Sequence, residues 1–309
     1  MISRHGREIS VAIAYFLVLG FLAVFAPHFF DLKPQTEFAV KNAAVLVAAI
    51  GMTLVILCRQ IDISIGSQAS ICAVVAGLLA GSALPMPIVA VGTLLAGAAM
   101  GAINGGLVAG LGLPSIVVTL ATLVIGREGL RYVREGAFVS GLPPDFQWLG
   151  LGQTTGQWSI VIVAFVVFVL MAWLLRYVGI GRSIYATGSD PEAARLAGIR
   201  PRWVIFSVFV AMGTFTGLYS LLVVVQFPAV DPKTGTGLEM QAIAAVVVGG
   251  TAVSGGRGTL IGTLIGVLLL GSITPALVFL DYKPEWEKAI QGGIILLAVA
   301  TDGLTRRKR

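Results

Sequence analysis

Charge is what this chain has least of. Aspartate, glutamate, lysine and arginine make up 12% of its 309 residues, against roughly 25% in an ordinary soluble domain, and so few ions cannot hydrate a soluble surface. Histidine and cysteine each occur only twice. His5 and His28 flank the first apolar block, and neither can be tied to a nucleophile or to further metal ligands. Catalytic constellations are therefore not expected. Cys58 and Cys72 lie in or beside apolar segments, so a disulfide framework is not expected either, and core filling is their ordinary role. No acidic or basic residue falls deep inside an apolar block, where ion-coupled carriers place their ionisable groups. The net charge of +6 forms no long basic stripe. The basic residues punctuate the ends of apolar blocks, which points to membrane orientation and away from nucleic acid.

What is abundant is apolar sequence. Hydrophobic residues make up 57% of the chain, and the uncharged run from Ile63 to Gly126 is 64 residues long. One span needs about 20 apolar residues to cross about 30 Å of hydrocarbon, so this run alone holds several. The 39 glycines favour close helix packing in lipid, where apolar burial supplies no drive between helices. Ile9 to Ala26 is uncharged and longer than a signal-peptide core, and it is expected to be a retained span.

Blocks bounded by charge, proline and glycine predict ten spans: Ile9 to Pro27, Ala39 to Cys58, Gly66 to Ser82, Ile88 to Ala109, Pro114 to Tyr132, Ser159 to Leu175, Trp203 to Val225, Met240 to Ser254, Thr259 to Leu280 and Trp286 to Thr301. The shortest are candidates for broken or tilted helices. The fold class is thus an all-α polytopic membrane protein, with residues 1–309 as one transmembrane domain and no internal repeat. An even count puts both termini on one side, and the tail Arg306-Arg307-Lys308-Arg309 places that side in the cytoplasm by the positive-inside rule. Inner segments then hold 13 basic and five acidic residues, and outer segments eight basic and ten acidic. Two connections are long: residues 133–158, expected outside, and the basic residues 176–202, expected inside.

The polar groups within spans are neutral: Gln68, Asn104, Thr119, Thr122, Thr214, Thr216 and Gln241. They suit a path for a neutral, hydroxyl-rich solute, or they hydrogen-bond neighbouring helices. Asp62, followed by Ser64, is expected where the second span meets the cytoplasm. It either caps the third helix or forms part of an inner gate, and the two roles are compatible. Arg127, Glu128, Arg131, Arg134 and Glu135 gather near the outer end of the fifth span, with Arg131 and Glu135 spaced to face one another. They form a solvated face or a docking surface for a soluble partner.

Gly250 to Arg257 has glycines spaced like a phosphate-binding loop but no lysine to reach the phosphates, so ATP is not expected to bind this chain. In the inner connection, Ser189 or Asp190 before Pro191 marks a helix start and Gly198 its end. The result is a short helix between two spans, either a protrusion fitted to another protein or a loop helix on the membrane surface.

Glu192-Ala193-Ala194, three residues and then Gly198 resemble the coupling motif of ABC importer permeases. Gln60 to Ser67, Ala186 to Ser189 and Thr234 to Gly250 are similar to stretches of the ribose, galactose, xylose and arabinose class, and Thr234-Gly-Thr-Gly-Leu-Glu-Met is most similar to its autoinducer-2 and rhamnose branch. The stretch Val208-Phe209-Val210-Ala211 departs from the longer motif of other importers. The resemblance implies a bacterial inner-membrane permease of a small sugar or sugar-like molecule without its own ATPase or catalytic site. It implies residues 182–199 as the coupling segment, with Glu192, Ala193, Ala194 and Gly198 contacting an ABC ATPase that itself binds ATP and magnesium. It also implies a second permease chain, identical or related, and a periplasmic substrate-binding protein. The alternative from another class is an ion-coupled secondary transporter of a small polar solute.

Overall fold

In the computed structural model, residues 2–283, 285–294 and 296 are described. The last expected span falls partly outside them, and the basic tail wholly so. Twelve helices carry the chain to Phe279: α1 (Ile2–Phe25), α2 (Leu32–Leu57), α3 (Ile65–Gly81), α4 (Met86–Gly105), α5 (Ser115–Arg134), α6 (Gln153–Tyr177), α7 (Gly179–Ser189), α8 (Pro191–Leu196), α9 (Pro201–Val224), α10 (Leu238–Val248), α11 (Leu260–Gly271) and α12 (Ile273–Phe279). Residues 286–294 are again helical. A π-helical turn, Gly106–Gly110, extends α4. Among the described residues the strand-like pairing is a single antiparallel bridge, Val139 to Val230.

Among the described residues, five helical stretches are long and apolar enough to cross a membrane: Leu32–Leu57, Met86–Gly110, Gln153–Tyr177, Pro201–Val224 and Leu260–Phe279. The other expected spans differ for identifiable reasons. α5 is long enough, but Arg127, Glu128, Arg131 and Arg134 occupy its second half. α3 and α10 are apolar but only 17 and 11 residues long, roughly 25 and 16 Å at 1.5 Å per residue. Neither spans the ~30 Å of hydrocarbon by itself.

α2 is the axis of the bundle, with 89% of its most apolar window buried, against 17% for α6. Around it, glycine sets the packing distances. On α4, Gly97, Gly101 and Gly105 recur every four residues and so share one helix face. A Cβ on Gly97 or Gly101 would overlap the Gly213 or Phe209 carbonyl of α9, and one on Gly213 would overlap the Gly97 carbonyl. Only glycine lets the two backbones approach this closely, the small-residue packing expected where lipid offers no hydrophobic drive between helices. α10 and α11 repeat the device, with Gly249, Gly262 and Gly266 against one another and Ala245. α2 meets α11 by a hydrogen bond between the Thr53 and Thr263 hydroxyls, 2.8 Å.

One end of the bundle is closed by Phe29, which stacks edge-on with Phe38 and Phe279. There Trp148 N–H also donates to the Val225 carbonyl. The opposite end carries α7 and α8. We expect Gly101→Leu to destabilise the detergent-solubilised protein by at least about 1–3 kcal/mol through overpacking. Gly106→Ala, at a position with no atom near the added carbon, should leave the unfolding temperature within error. Thermal unfolding of the two variants side by side checks this.

Candidate translocation site and coupling end

The site begins where α2 stops. Arg59 adopts a positive φ of 62°, Gln60 N–H turns back to the Val55 carbonyl, and the Arg59 side chain donates to the Ser254 carbonyl at 2.6 Å. The chain then runs extended to α3. Ile61 N–H donates to Ser115 Oγ, 3.3 Å, and its carbonyl accepts from Thr119 Oγ1, 3.3 Å. The start of α5 thus takes over backbone groups that a continuous helix would have satisfied internally.

Asp62 follows, fully buried. Its Oδ1 accepts from the Ser64 N–H at 2.9 Å and from the Ser64 hydroxyl, and its Oδ2 accepts from Gln68 Nε2 at 3.3 Å. Ser64 Oγ also accepts from Gln68 Nε2 and from Asn104 Nδ2, both at 2.7 Å. One donated and two accepted bonds use the full capacity of a hydroxyl, so Ser64 is the hub of the network. Among the described residues no basic side chain forms an ion pair with Asp62. Hydrogen bonds from three donors and the positive end of α3 take the place of a counter-ion. Gln68 Oε1 is buried without a partner.

A second interruption lies beside the first. After the bridge at Val230, the chain turns through Asp231, whose carboxylate accepts from Lys233 N–H at 2.8 Å. It then passes Gly235, whose N–H donates to Ser70 Oγ of α3 at 3.2 Å. Gly237, at φ 90°, starts α10. A Cβ on Gly235 would overlap the Gly66 carbonyl, and one on Gly66 would overlap Glu239 Oε2. The first turns of α3 and α10 therefore lie against each other, and the close approach depends on both glycines. Glu239, 8% exposed, accepts at Oε1 from Arg127 Nη2, 3.2 Å, while its Oε2 has no partner. Two shortened helices thus aim their positive ends into the bundle, the arrangement that transporters use to form solute sites at membrane depth.

At the α8 end, Asp190 caps α8 by accepting from the N–H groups of Glu192 (3.0 Å) and Ala193 (3.1 Å). Gly198, at φ +83°, ends it, and the Ile199 N–H returns to the Ala194 carbonyl. Glu192 is exposed and pairs with Arg195 at 3.2 Å; Ala194 is buried and Leu196 is 87% exposed. α7, which the sequence does not announce, precedes this helix. Its Gly188 abuts the carbonyl of Leu57, the last residue of α2, and a Cβ there would overlap that oxygen. Gly256 N–H donates to the same oxygen at 2.9 Å. The Tyr185 hydroxyl donates to the Gly258 carbonyl at 2.8 Å. α8 is therefore joined through α7 to the end of α2 and to the connection between α10 and α11.

The fold brings together Asp62, Ser64, Gln68 and Asn104, which the sequence divided between a gate and a path, and sets Thr119 at their edge through Ile61. Thr122, Thr214 and Thr216 bond carbonyls of their own helices, and Gln241 is partly buried on α10; none of these four joins the network. Three groups sit in surroundings that the sequence does not announce. Asp62 does not cap α3 directly, because Ser64 is its N-cap and the carboxylate holds the turn before it. Ionisable groups do occur deep in the bundle, at Asp62 and Glu239; the first lies in a helix break and the second just before an apolar block, so run-length counting passed over both. The charged residues on α5 make separate contacts. Arg127 turns to Glu239, Arg131 pairs with Glu128 at 2.8 Å, Arg134 Nη2 donates to the Ala137 and Phe138 carbonyls, and Glu135 leaves the helix at φ 49°. The expected Arg131 and Glu135 pair is lost because α5 ends at Arg134. Glu239 was missed as a site residue, although it lies inside the Thr234 to Gly250 stretch that carries the resemblance.

Comparison with known proteins gives the family. The chain belongs to the family described as branched-chain amino acid transport system / permease component, which matches residues 36–299. It is 34% identical over 309 residues to the autoinducer 2 import system permease protein LsrC of Photorhabdus luminescens, covering 98% of this chain and 92% of that protein. The proteins of the same name from Escherichia coli (strain K12 / DH10B) and Salmonella typhi are 36% and 34% identical, covering 98% of this chain and 89% and 87% of theirs. No solved structure matches the chain. The protein is thus a permease subunit of an ABC importer, a multi-pass protein of the bacterial inner membrane that works with ATPase and substrate-binding partners.

Replacing Asp62 by leucine should remove the acceptor for the Ser64 N–H, Ser64 hydroxyl and Gln68 amide together. Each buried donor left unpaired costs about 1–3 kcal/mol, so Asp62→Leu should unfold well before wild type in detergent, and Asp62→Asn, which keeps one acceptor oxygen, should fall between them.

Proposed function

We propose that this permease moves a small, neutral, hydroxyl-rich molecule of the autoinducer-2 or simple-sugar type, driven by ATP hydrolysis in a partner subunit. The observation that carries the reading is the pair of interrupted helices, α3 and α10, whose first turns meet beside the Asp62, Ser64, Gln68 and Asn104 network. The family description speaks of branched-chain amino acids and the curated relatives of autoinducer 2. A site built from hydroxyl, amide and carboxyl groups suits hydroxyl groups of a solute better than an aliphatic side chain, so the chemistry of the site sides with the relatives.

In this reading, Gln68, Asn104 and Thr119 border the path, and Asp62 with Ser64 fixes the helix start that serves as its inner gate. Thr122, Thr214 and Gln241 are candidates for its wall in another conformation. α8 is the coupling helix, with Glu192, Ala193, Ala194 and Gly198 meeting the ATPase. Exposed Leu196 and the capped first turn give it a shape suited to a groove in that subunit. Because Gly188 rests on the end of α2 and beside Gly256, a displacement of α8 is delivered to the connection that leads into α3 and to the one that leaves α10. The chain contributes no ATPase or catalytic site of its own. It spans the membrane about ten times, counting α3 and α10 with their extended lead-in segments. The α8 end faces the cytoplasm, as do both termini, and the end closed by Phe29 faces the periplasm. A second permease chain completes the path, and the periplasmic binding protein docks near residues 133–158 and the charges at the outer end of α5, Arg131, Arg134 and Glu135.

Reconstitution with an ATPase and binding protein in proteoliposomes tests the reading. Labelled autoinducer 2 should accumulate only when ATP and both partners are present. Gradient-driven uptake by the permease alone would overturn the reading in favour of the secondary transporter. For the coupling helix, Glu192→Lys and Gly198→Val should insert normally but reduce ATPase co-purification by about tenfold or more; undiminished association and uptake would remove α8 from that role.

A further inference from the structure

Arg127 presents an energetic problem that points to a use. Gly126, its neighbour, packs against Ser67 and Ile71 of α3, so this part of α5 lies about 15–21 Å in from the far end of α3 at Gly81. In the other direction, the 11 residues of α10, roughly 16 Å of helix, lie between Glu239 and the loop at the α8 end. Arg127 therefore sits near the middle of the bundle. Its side chain is nevertheless 42% exposed, and of the five N–H donors of a guanidinium the ion pair with Glu239 engages the Nη2 group alone. A guanidinium exposed to lipid at this depth is costly, and such residues face a bundle interior or a water-filled cavity. The exposed side of Arg127 must then open onto water.

Across the pair, the position of Glu239 is equally specific. It lies in the first turn of α10 against the first turn of α3, its side chain 10% exposed, with Oε2 buried and unpartnered. The pair as a whole is neutral and holds several unused donors on the exposed side of Arg127 and one unused acceptor, Glu239 Oε2, packed against Gly66 of α3. Neighbouring hydroxyl groups on an uncharged solute, each both donor and acceptor, complement that combination. A solute carrying its own charge would have to break the pair and leave one partner uncompensated.

We propose that Arg127 and Glu239 are the specificity-determining contact of the translocation path, engaging adjacent hydroxyl groups of an uncharged solute at mid-membrane. This deepens the importer reading and rests on it for the identity of the solute, but the exposure of Arg127 to water does not.

Two measurements on the full permease, ATPase and binding-protein complex test the proposal. Cys58 and Cys72 are buried, so Arg127→Cys adds one reporter thiol for a charged, membrane-impermeant thiosulfonate. We expect it to react within about tenfold of a loop control, Gly136→Cys, and excess autoinducer 2 to slow the reaction. If the thiol stays unreactive while the loop control reacts, Arg127 faces lipid or protein and the proposal falls. Should Arg127→Cys fail to assemble, Val124→Cys, one turn away on the exposed face of α5 and with the ion pair intact, carries the same test.

The second measurement is uptake. Glu239→Gln should raise the half-saturation concentration for autoinducer 2 by about tenfold, and the exchange Arg127→Glu with Glu239→Arg should restore assembly but not uptake. Wild-type uptake in the exchanged pair would show a purely structural ion pair and overturn the proposal. If wild type fails to transport autoinducer 2 although Arg127→Cys reacts, the choice of solute is wrong and the water-facing pair stands.

Discussion

A chain that interrupts its helices inside a membrane must find partners for every backbone N–H and carbonyl that the helix would have paired, because no water is there to take them and each orphan costs several kcal/mol. This constraint shapes the centre of the protein. Where α2 gives way to α3, the Val55 carbonyl takes the Gln60 N–H, Ser115 and Thr119 hold both sides of Ile61, and Asp62 receives the Ser64 N–H. Before α10, Val139 pairs with Val230 and Ser70 takes the N–H of Gly235. Side chains on α3 and α5 thus do for the two breaks what the fourth residue back does within a helix. α3, α5 and α10 cannot move far apart without uncovering those groups, so the interrupted segments form one unit.

Two carboxylates are buried in that unit, and they are treated differently. Asp62 is surrounded by the donors of Ser64 and Gln68 and lies at the positive end of a 17-residue helix. Its surroundings are complete without a cation, as suits a group that fixes backbone. Glu239 has a cation in Arg127 but keeps one oxygen free. A carboxylate with both oxygens paired holds its neighbours in place, whereas Glu239 Oε2 has no bond of its own. The difference separates the part of the centre that holds the helix ends from the part able to meet a solute.

Glycine supplies the mechanical continuity. Gly188 on the Leu57 carbonyl and beside the Gly256 nitrogen, and Gly249 against Gly262, bring backbone to backbone at the α8 end. Contacts of this kind contain no flexible side chain to absorb a displacement, so α7, the end of α2 and the connection after α10 are held rigidly together. The α4 and α9 seam, built in the same way, gives the moving parts a stiff wall. Interfaces packed to this density favour two discrete arrangements over gradual deformation, which is what alternating access by an ATP-driven permease requires.

Much of this was legible in the sequence, in proportion to how local the signal is. Scarce charge and long apolar runs require a helical membrane protein, because such a composition cannot be hydrated and an unpaired backbone cannot cross lipid. Asp190, Pro191 and Gly198 specify α8, because a cap, a fixed φ and a positive φ act within a few residues of themselves. The stretches around Asp62, Glu192 and Thr234 carry the family. Whether α3 and α10 are whole spans, where Arg127 turns, and that Ser64 and Asn104 meet across 40 residues were decided by the tertiary structure. Run length measures hydrophobicity and is blind to a helix break whose partners come from another helix, and an ion pair between residues 112 apart exists only once α5 and α10 have packed beside α3.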